Sequence, residues 1–292
     1  AYLPIMTGCD KHCTYCIVPL TRGPEVSMDV RAVHQEAERL VSVGVKHITL
    51  LGQNVNSYGK NLPNNPSFAR LLRILNDIDG LERISFTTSH PEDATQELFE
   101  AIRDSRKVSR RFHLALQSGS NVVLKRMKRG HTIEDFQSQM VRLREIVPDI
   151  SLTTDIITGF PGETEADHLA TRTALETLRF DGAYIFKYSE RAGTPAAKLK
   201  DDVPFDVKEK RNQELLDLQA GITEKNNQAL LGKMEDVLVE RPSTKDKTEL
   251  LAHSTQDKKV VFSGDPSIIG KMVKVELKNL VGDTFRGVIC AA

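Results

Sequence analysis

Three cysteines near the start of the chain have the residue type and spacing of metal ligands. Cys9, Cys13 and Cys16 are spaced C-x3-C-x2-C and directly follow an apolar run, residues 2–6, that is typical of a strand. Three thiolates can each bind one iron of a four-iron [4Fe-4S] cube and leave the fourth iron free. The spacing therefore predicts an iron–sulfur site that can hold another molecule at its open iron.

Cysteines at this spacing have two alternative uses, a zinc site and a disulfide. A structural zinc site needs four ligands, and only His12 lies close enough in sequence to complete it. A disulfide would pair two cysteines and leave the third alone, and nothing in the sequence indicates an oxidising compartment. The fourth cysteine, Cys290, stands alone near the end and is expected to be a small apolar residue.

The composition indicates a globular chain without overall charge. Of 292 residues 39% are hydrophobic, and 40 Lys and Arg are balanced by 40 Asp and Glu. This balance excludes attraction to nucleic acid through net charge, so any such attraction must come from local clusters. No apolar run approaches the length of a membrane span, and we expect a cytoplasmic protein with no membrane partner.

The elements that must position the cysteines alternate between strands and helices. Apolar periodicity predicts six strands, at residues 2–6, 46–51, 83–87, 112–116, 151–158 and 183–187, with helices between them. Parallel neighbours need a crossover connection, which a helix supplies. We therefore expect an α/β fold, a partial (β/α)6 barrel that is two units short of the TIM barrel.

Polar or glycine-rich segments follow all six predicted strands. They are the cysteine loop and residues 52–57, 88–91, 117–120, 159–163 and 188–191. Each alone could be an ordinary turn. Because the carboxyl ends of parallel strands meet at one face, we expect them to form a shared site.

The pattern changes beyond residue 230. A charged helix over residues 204–230 ends the first predicted domain, residues 1–230. Five short strands are predicted within residues 231–292, which is typical of a small OB-like β-barrel. Residues 233–292 contain ten Lys and Arg against nine Asp and Glu, so charge alone does not mark this domain as RNA-binding.

The clearest basic cluster lies between residues 103 and 131, with nine Lys or Arg against one acidic residue. Its two parts flank the fourth predicted strand. The usual role of such a run is a solvated surface. If the barrel faces a polyanion, the phosphate-binding residues are expected to be Arg110, Arg111, Lys125, Arg126, Lys128 and Arg129.

With these motifs in place, the sequence resembles a known family. The cysteine loop is similar to that of radical S-adenosylmethionine (SAM) enzymes, and the longer motifs resemble bacterial tRNA methylthiotransferases, most closely the MiaB type. The motifs that carry the resemblance lie at residues 8–19, 21–23, 50–58, 87–91, 116–120, 154–156, 159–164, 186–191 and 193–194. It covers nearly the whole chain, with a terminal RNA-binding TRAM domain from about Leu231.

The resemblance implies a reaction and its partners. Cys9, Cys13 and Cys16 would act as catalytic residues by holding the cluster that binds and reductively cleaves SAM. The resulting 5′-deoxyadenosyl radical would take the hydrogen from C2 of N6-isopentenyladenosine next to the anticodon of a tRNA, where a methylthio group is joined. We also expect an external electron donor and a monomeric protein. The barrel opening is expected to be covered by tRNA and the second domain.

The resemblance also implies the residues that contact SAM. Tyr15 would lie along its adenine, and Gln53 and Asn54 would hold its methionine part. Gln117 and Ser118 would contact the ribose or carboxylate, and Ile157 with Gly159 would line the adenine side. Tyr188 and Arg191 would bind the carboxylate or the substrate. The polar residues among these could instead satisfy buried backbone groups at strand ends.

Two departures from the family pattern matter. The family carries an amino-terminal domain with three further cysteines for an auxiliary [4Fe-4S] cluster, which this sequence lacks. This chain alone is therefore expected to cleave SAM without completing methylthiolation. After Arg22 and Gly23 the family often has several arginines, whereas this chain has Pro24, Val26 and Met28, which puts a substrate contact there in doubt.

Other functions were considered. Related enzymes act on threonylcarbamoyladenosine in tRNA or on a ribosomal-protein aspartate. The stretches Asn54 to Asn56 and Ser89 to Pro91 favour the isopentenyl enzyme. From a different class, the chain could be a non-catalytic RNA-binding protein with a structural metal site.

Overall fold

The computed structural model describes residues 1–290, and residues 291–292, at the end of the second predicted domain, lie outside the described residues. The first half of the larger domain contains β1 (Tyr2–Pro4), β2 (Met6–Thr7), α1 (Val18–Arg22), β3 (Val26–Ser27), α2 (Val30–Ser42), β4 (His47–Leu51), α3 (Phe68–Asn76), β5 (Arg83–Phe86) and α4 (Gln96–Asp104). The second half contains β6 (Arg111–His113), α5 (Asn121–Arg126), α6 (Ile133–Ile146), β7 (Ser151–Thr158), α7 (Glu165–Leu178), β8 (Gly182–Lys187) and α8 (Phe205–Gln228).

Local sequence fixes several of these helices. Thr132 and Asp135 form a reciprocal capping box at the start of α6, and Thr164 and Asp167 do the same for α7. Each box satisfies backbone N–H groups that a helix start leaves free. These helices therefore begin where their sequences supply the caps.

The strands form an open, six-stranded parallel barrel. β4 lies between β1 and β5, and β7 lies between β6 and β8. Single bridges, Ile84 with Val108 and Ser89 with Leu114, connect the two halves. No ladder joins β8 to β1 within residues 1–290, so the barrel is open on that side. The prediction of a partial (β/α)6 barrel is confirmed.

The main hydrophobic core lies between the strands and the surrounding helices. Leu50, Ile84, Phe112 and Ile156 face this layer and are fully buried. The opposite, inward faces carry polar side chains that bond across neighbouring strands. His47 Nε2 lies 2.9 Å from Ser85 Oγ, and His113 Nε2 lies 3.2 Å from Asp155 Oδ2. The interior of this barrel therefore differs from the apolar filling of a closed TIM barrel.

The second domain is a small closed barrel. Its strands are β9 (Met234–Pro242), β10 (Glu249–Ser254), β11 (Lys259–Ser263), β12 (Met272–Val281) and β13 (Thr284–Ile289), in the order β10-β11-β13-β12-β9. Its own core includes Val237, Leu250, Phe262, Val275 and Phe285. The five predicted strands are thus present, and closure leaves no long free sheet edge.

This small barrel docks on the amino ends of the large barrel's strands, which we call the base. Its β10–β11 turn supplies the contacts. Thr255 O accepts from Arg110 N at 2.7 Å, His253 O accepts from Arg83 Nη2 at 2.8 Å, and Gln256 Nε2 donates to Asp149 O at 2.7 Å. The expectation that the second domain covers the opening at the carboxyl ends was therefore wrong, because its turn binds the opposite end.

The longest helix, α8, has 24 residues and carries charged side chains throughout. Within residues 1–290, none of the helices combines the length and the apolar character that crossing a membrane requires.

Candidate functional site

The cysteine loop lies at the carboxyl ends of the barrel strands, which we call the mouth. Cys9 N donates to Gly23 O at 3.2 Å, so the end of the loop lies close to its start. Gly8 N donates to Gln53 Oε1 at 2.7 Å, which joins the loop to the segment after β4. Gly8 has a φ of +77°, and a Cβ there would stand 1.9 Å from Pro24 O. Only glycine fits this close approach.

The other side of the loop is fixed to the segment after α5. Thr14 N donates to Met127 O at 3.0 Å, and Thr14 Oγ1 donates to Arg126 O at 3.0 Å. Within the loop, Cys16 N donates to Cys13 O at 3.1 Å. Bonds to the segment after β4 and to the end of α5 therefore hold the cysteines in place.

The three cysteines line one cavity of about 350 Å³, which we call the cysteine cavity. Its other lining residues are Lys11, Tyr15, Val18, Gly52, Gln53, Asn54, Thr88, Ser89, His90, Ala115, Gln117, Arg129 and Asp155. Among residues 1–290, no three His, Cys, Asp or Glu side chains converge as ligands of a single ion. A four-iron cluster binds each thiolate on a different iron, so this donor set suits a cluster better than zinc.

Burial favours the protonated form of two of the three thiols. Burial raises the pKa of the Cys9 thiol to about 11 and also raises the pKa of Cys16. Metal ligation requires the thiolate, so loading the site must release protons. Loading is therefore expected to be more favourable at higher pH.

A second cavity, of about 310 Å³, adjoins the first, and we call it the adjoining cavity. Tyr15, Gln117 and Asp155 line both. The remaining walls are Ile157, Phe186, Lys187, Tyr188, Ser189 and Arg191. Phe186 lies on β8 and is 55% exposed. Aromatic faces next to a polar cavity are suited to stacking a nucleobase.

Gln117 is the predicted residue best placed to contact a ligand. Its φ is +76°, and its backbone is held to β7 by bonds to Asp155 O at 2.8 Å and from Ile157 N at 3.0 Å. Its Oε1 is buried and has no hydrogen-bond partner among the described residues. A strained, fixed residue with a free buried acceptor is typical of a ligand site.

The other predicted SAM contacts fall into two groups. Gln53, Asn54 and Tyr15 line the cysteine cavity, while Ile157, Tyr188 and Arg191 line the adjoining cavity. The amide of Asn54 is already satisfied, since Nδ2 donates to Asp93 Oδ2 at 2.8 Å and Oδ1 accepts from His90 N at 3.1 Å.

Ser118 and Gly159 line neither of these two cavities. Ser118 is fully buried, and its Oγ lies 3.2 Å from Thr171 Oγ1. Gly159 donates its N–H to Glu163 Oε1 at 2.9 Å, and a Cβ there would meet the Lys208 side chain at 2.3 Å. Both residues support the loops from behind, in contrast to the cofactor contact predicted for them.

Sequence reasoning missed Asp155, although it lines both cavities. Its position on β7 has the same parity as Ile157, so strand periodicity could have placed it on the inward face.

Lys11 was also missed. Burial lowers the pKa of Lys11, but its contacts with Glu92, at 2.6 Å, and Asp93 outweigh this and leave the pKa raised.

The basic cluster divides between the two ends of the barrel. Lys125, Arg126 and Lys128 are exposed at the mouth. Arg110 and Arg111 lie at the base, where Arg111 Nη1 pairs with Asp257 Oδ2 at 2.9 Å across the domain contact. Arg129 is buried and faces the cysteines, which departs from the prediction that it contacts RNA.

Family models match both domains. The radical SAM superfamily model matches residues 3–175, and the TRAM domain model matches residues 228–284. The chain is 50% identical over 276 residues to a tRNA-2-methylthio-N(6)-dimethylallyladenosine synthase of Alkaliphilus oremlandii, covering 94% of this chain and 59% of that protein. A synthase of the same name from Acetivibrio thermocellus is 48% identical over 290 residues, covering 99% of this chain and 60% of that protein.

The chain thus spans about 60% of the length of these relatives. Solved structures share its fold at low identity. Coproporphyrinogen III oxidase from Escherichia coli has a TM-score of 0.55 at 16% identity, covering 95% of this chain and 66% of the other. The radical SAM methyltransferase TsrM from Kitasatospora setae has a TM-score of 0.55 at 16% identity, covering 67% and 38%.

Proposed function

This chain belongs to the radical SAM superfamily, and on that premise we propose that it is the SAM-cleaving and RNA-holding part of a tRNA methylthiotransferase acting on N6-isopentenyladenosine. The observation that carries the proposal is the cavity in which three cysteines face Gln117 and Asp155. The names of two relatives, at 50% and 48% identity, support this substrate class.

Family membership implies a [4Fe-4S] cluster and SAM, and the residues present fit both. Cys9, Cys13 and Cys16 would hold the cluster. When bound, the cluster and SAM supply one-electron carbon–sulfur cleavage and hydrogen abstraction. Gln53 keeps the cysteine loop in position through its bond to Gly8 N at 2.7 Å.

The chain's own residues would orient the ligands. Gln117 Oε1 and Ser89 Oγ are buried without partners among the described residues, so they are available to a polar ligand. Asp155 stands where the two cavities meet and would accept hydrogen bonds from a group that spans them. Tyr15 and Phe186 offer aromatic faces to two adenine rings, one from SAM and one from the target nucleoside.

The RNA would contact both domains, the large barrel at its mouth and the TRAM domain at the base. β7 has eight residues, so about 25 Å separates the mouth from the base. A tRNA whose target base enters the mouth would meet Lys125, Arg126 and Lys128 there and would need to extend along the barrel to reach the TRAM domain. We propose phosphate contacts for these three exposed cations.

Methylthiolation would need a part that this sequence does not contain. Outside the cysteine loop the sequence has one further cysteine, Cys290, so three ligands for an auxiliary cluster would have to come from elsewhere in a longer protein. An external electron donor, a monomeric state and a cytoplasmic location remain proposals.

Anaerobic reconstitution tests the chemistry. The chain should become brown and hold about four irons, and reduction in the presence of SAM should release 5′-deoxyadenosine. Isopentenylated tRNA should stay unmodified by this chain and be methylthiolated by the longer protein. A colourless protein that holds one zinc would disprove the proposal, and product from this chain alone would disprove the need for the auxiliary cluster.

Paired charge substitutions test the RNA contact. Arg126→Gln with Lys128→Gln, at the mouth, should weaken tRNA binding and reduce the slope of log affinity against log salt by about 1 per lost phosphate contact. Arg110→Gln with Arg111→Gln, at the base, is the matched pair. Equal effects of the two pairs would contradict a binding face at the mouth.

A further inference from the structure

Arg129 is a buried arginine that points at a cysteine. Its side chain is 8% exposed, and Nη1 lies 3.4 Å from Cys13 Sγ. Nη2 donates to Ala115 O, while Nε is buried with no hydrogen-bond partner among the described residues. The guanidinium therefore projects into the cysteine cavity.

The backbone around Arg129 fixes this position. Lys128 has a φ of +54°, which turns the chain inward after α5, and Arg129 N donates to Leu124 O at 2.9 Å. The bonds from Thr14 to Met127 O and Arg126 O join the same segment to the cysteine loop. Arg129 and Cys13 are thus held on two segments that are bonded directly to each other.

Two other buried cations of this chain have a carboxylate partner. Arg211 Nη1 lies 2.9 Å from Glu163 Oε1, and Lys208 Nζ lies 2.6 Å from Asp201 Oδ2. Among residues 1–290, no Asp or Glu oxygen lies within ion-pair distance of Arg129. A buried charge without a counter-charge is strongly destabilising.

The groups nearest to Arg129 that could supply the missing negative charge are the thiolates, since Nη1 lies 3.4 Å from Cys13 Sγ. A cluster on three thiolates carries net negative charge, which increases on reduction. Hydrogen bonds to cluster sulfurs and nearby charge set its reduction potential, and charge-assisted hydrogen bonds are the stronger ones.

We infer that Arg129 is the counter-ion of the iron–sulfur cluster, a positioning residue that donates to the Cys13 sulfur, raises the reduction potential and helps retain the iron. This inference rests on the proposed function only in requiring that the cysteines hold a cluster. It assigns Arg129 to the cluster instead of to RNA.

Neutral and charged variants separate this role from a general structural one. In the reconstituted chain, Arg129→Gln should shift the cluster's midpoint potential to more negative values and speed iron loss to a chelator about 10- to 100-fold. Arg129→Lys keeps the charge and should have a potential close to the parent's. Arg70→Gln, at an exposed position on α3, is the matched control and should change neither quantity.

The apo protein gives the second measurement. Without a cluster, Arg129→Gln should lower the melting temperature far less than it does in the reconstituted protein, because the buried charge then has no counter-charge to lose. If the Arg129→Gln protein does not fold, the midpoint potential of Arg129→Lys becomes the test. A cluster potential of Arg129→Lys well below the parent's would overturn the assignment.

Equal potentials and equal rates of iron loss in the parent and Arg129→Gln would also overturn it. None of these measurements uses tRNA or methylthiolation. If the chain shows the expected potentials but releases no 5′-deoxyadenosine from SAM, the proposed function fails and the inference on Arg129 stands.

Discussion

The mouth and the base of the same barrel differ in what their polar groups contact. At the mouth, Gln117 Oε1, Ser89 Oγ and Arg129 Nε are buried without partners among the described residues. At the base, Thr255 O accepts from both Arg110 N and Ser109 Oγ, at 2.7 and 2.8 Å. The mouth thus leaves polar atoms free for a ligand, whereas the base is bound to another part of the chain.

Two buried arginines make this comparison concrete. Arg83, 3% exposed at the base, donates to His253 O. Burial lowers the pKa of Arg83, and the nearby Asp257 and Glu240 partly offset this. Arg129 at the mouth has a sulfur in place of an acid. Among the described residues neither arginine has a carboxylate within ion-pair distance, and the two differ in that Arg129 faces a cavity lined by cysteines.

Removal of a cysteine should have the largest effect, and only at the mouth. Cys13→Ala should reduce the iron content after reconstitution from about four per chain to near zero, because two thiolates cannot hold the cube. Cys290→Ala is the matched control and should keep the iron and the brown colour. Iron retained by Cys13→Ala would refute the cluster site.

Removal of the basal arginine should destabilise the fold and leave the cluster unchanged. Arg83→Met loses the bond to His253 O and leaves the nearby acids without their cation, which we expect to cost about 3 kcal/mol in urea denaturation. The cluster potential should match the parent's. A changed potential would show that the two ends are coupled.

A matched glycine pair probes the loop of the mouth. Gly8→Ala must displace Pro24 backbone and should cost about 2 kcal/mol or more, whereas Gly23→Ala, with a φ of +75° and no atom within 4 Å, should cost about 1 kcal/mol. Thermal or urea unfolding measures both. Equal costs would mean that the loop adapts to the added methyl group.

Acidification should weaken the apo protein through a histidine behind the cysteine cavity. Burial, then the charge of Arg129, lowers the pKa of His131 to about 4 from an ordinary 6.5. The folded state thus binds fewer protons, so this contribution to stability is complete above about pH 6.5 and is lost as the pH falls towards 4.

The slope should reach at most about 1.4 kcal/mol per pH unit for this residue. His131→Phe, which keeps a ring beside Phe136, should reduce the pH dependence of urea unfolding between pH 6.5 and 4.5. An unchanged dependence would place the titration on other groups, such as His47, whose pKa burial also lowers to about 4.

The sequence by itself determined the order of elements, and it predicts the cluster ligands. Periodicity is a local property, so the predicted strand at residues 151–158 matches β7. The spacing of the cysteines and the six polar loops likewise indicated the mouth, because parallel strands bring their carboxyl ends together.

Only the tertiary structure decided which side chains enter the site. Arg126 and Arg129 look alike in sequence, but the left-handed turn at Lys128 and the bonds to Thr14 direct Arg129 inward. Contacts between residues far apart in sequence also dock the small barrel on the base. Such contacts likewise bury Ser118 behind its loop. Local patterns cannot specify such contacts, because they are fixed by packing between elements that the chain brings together only when folded.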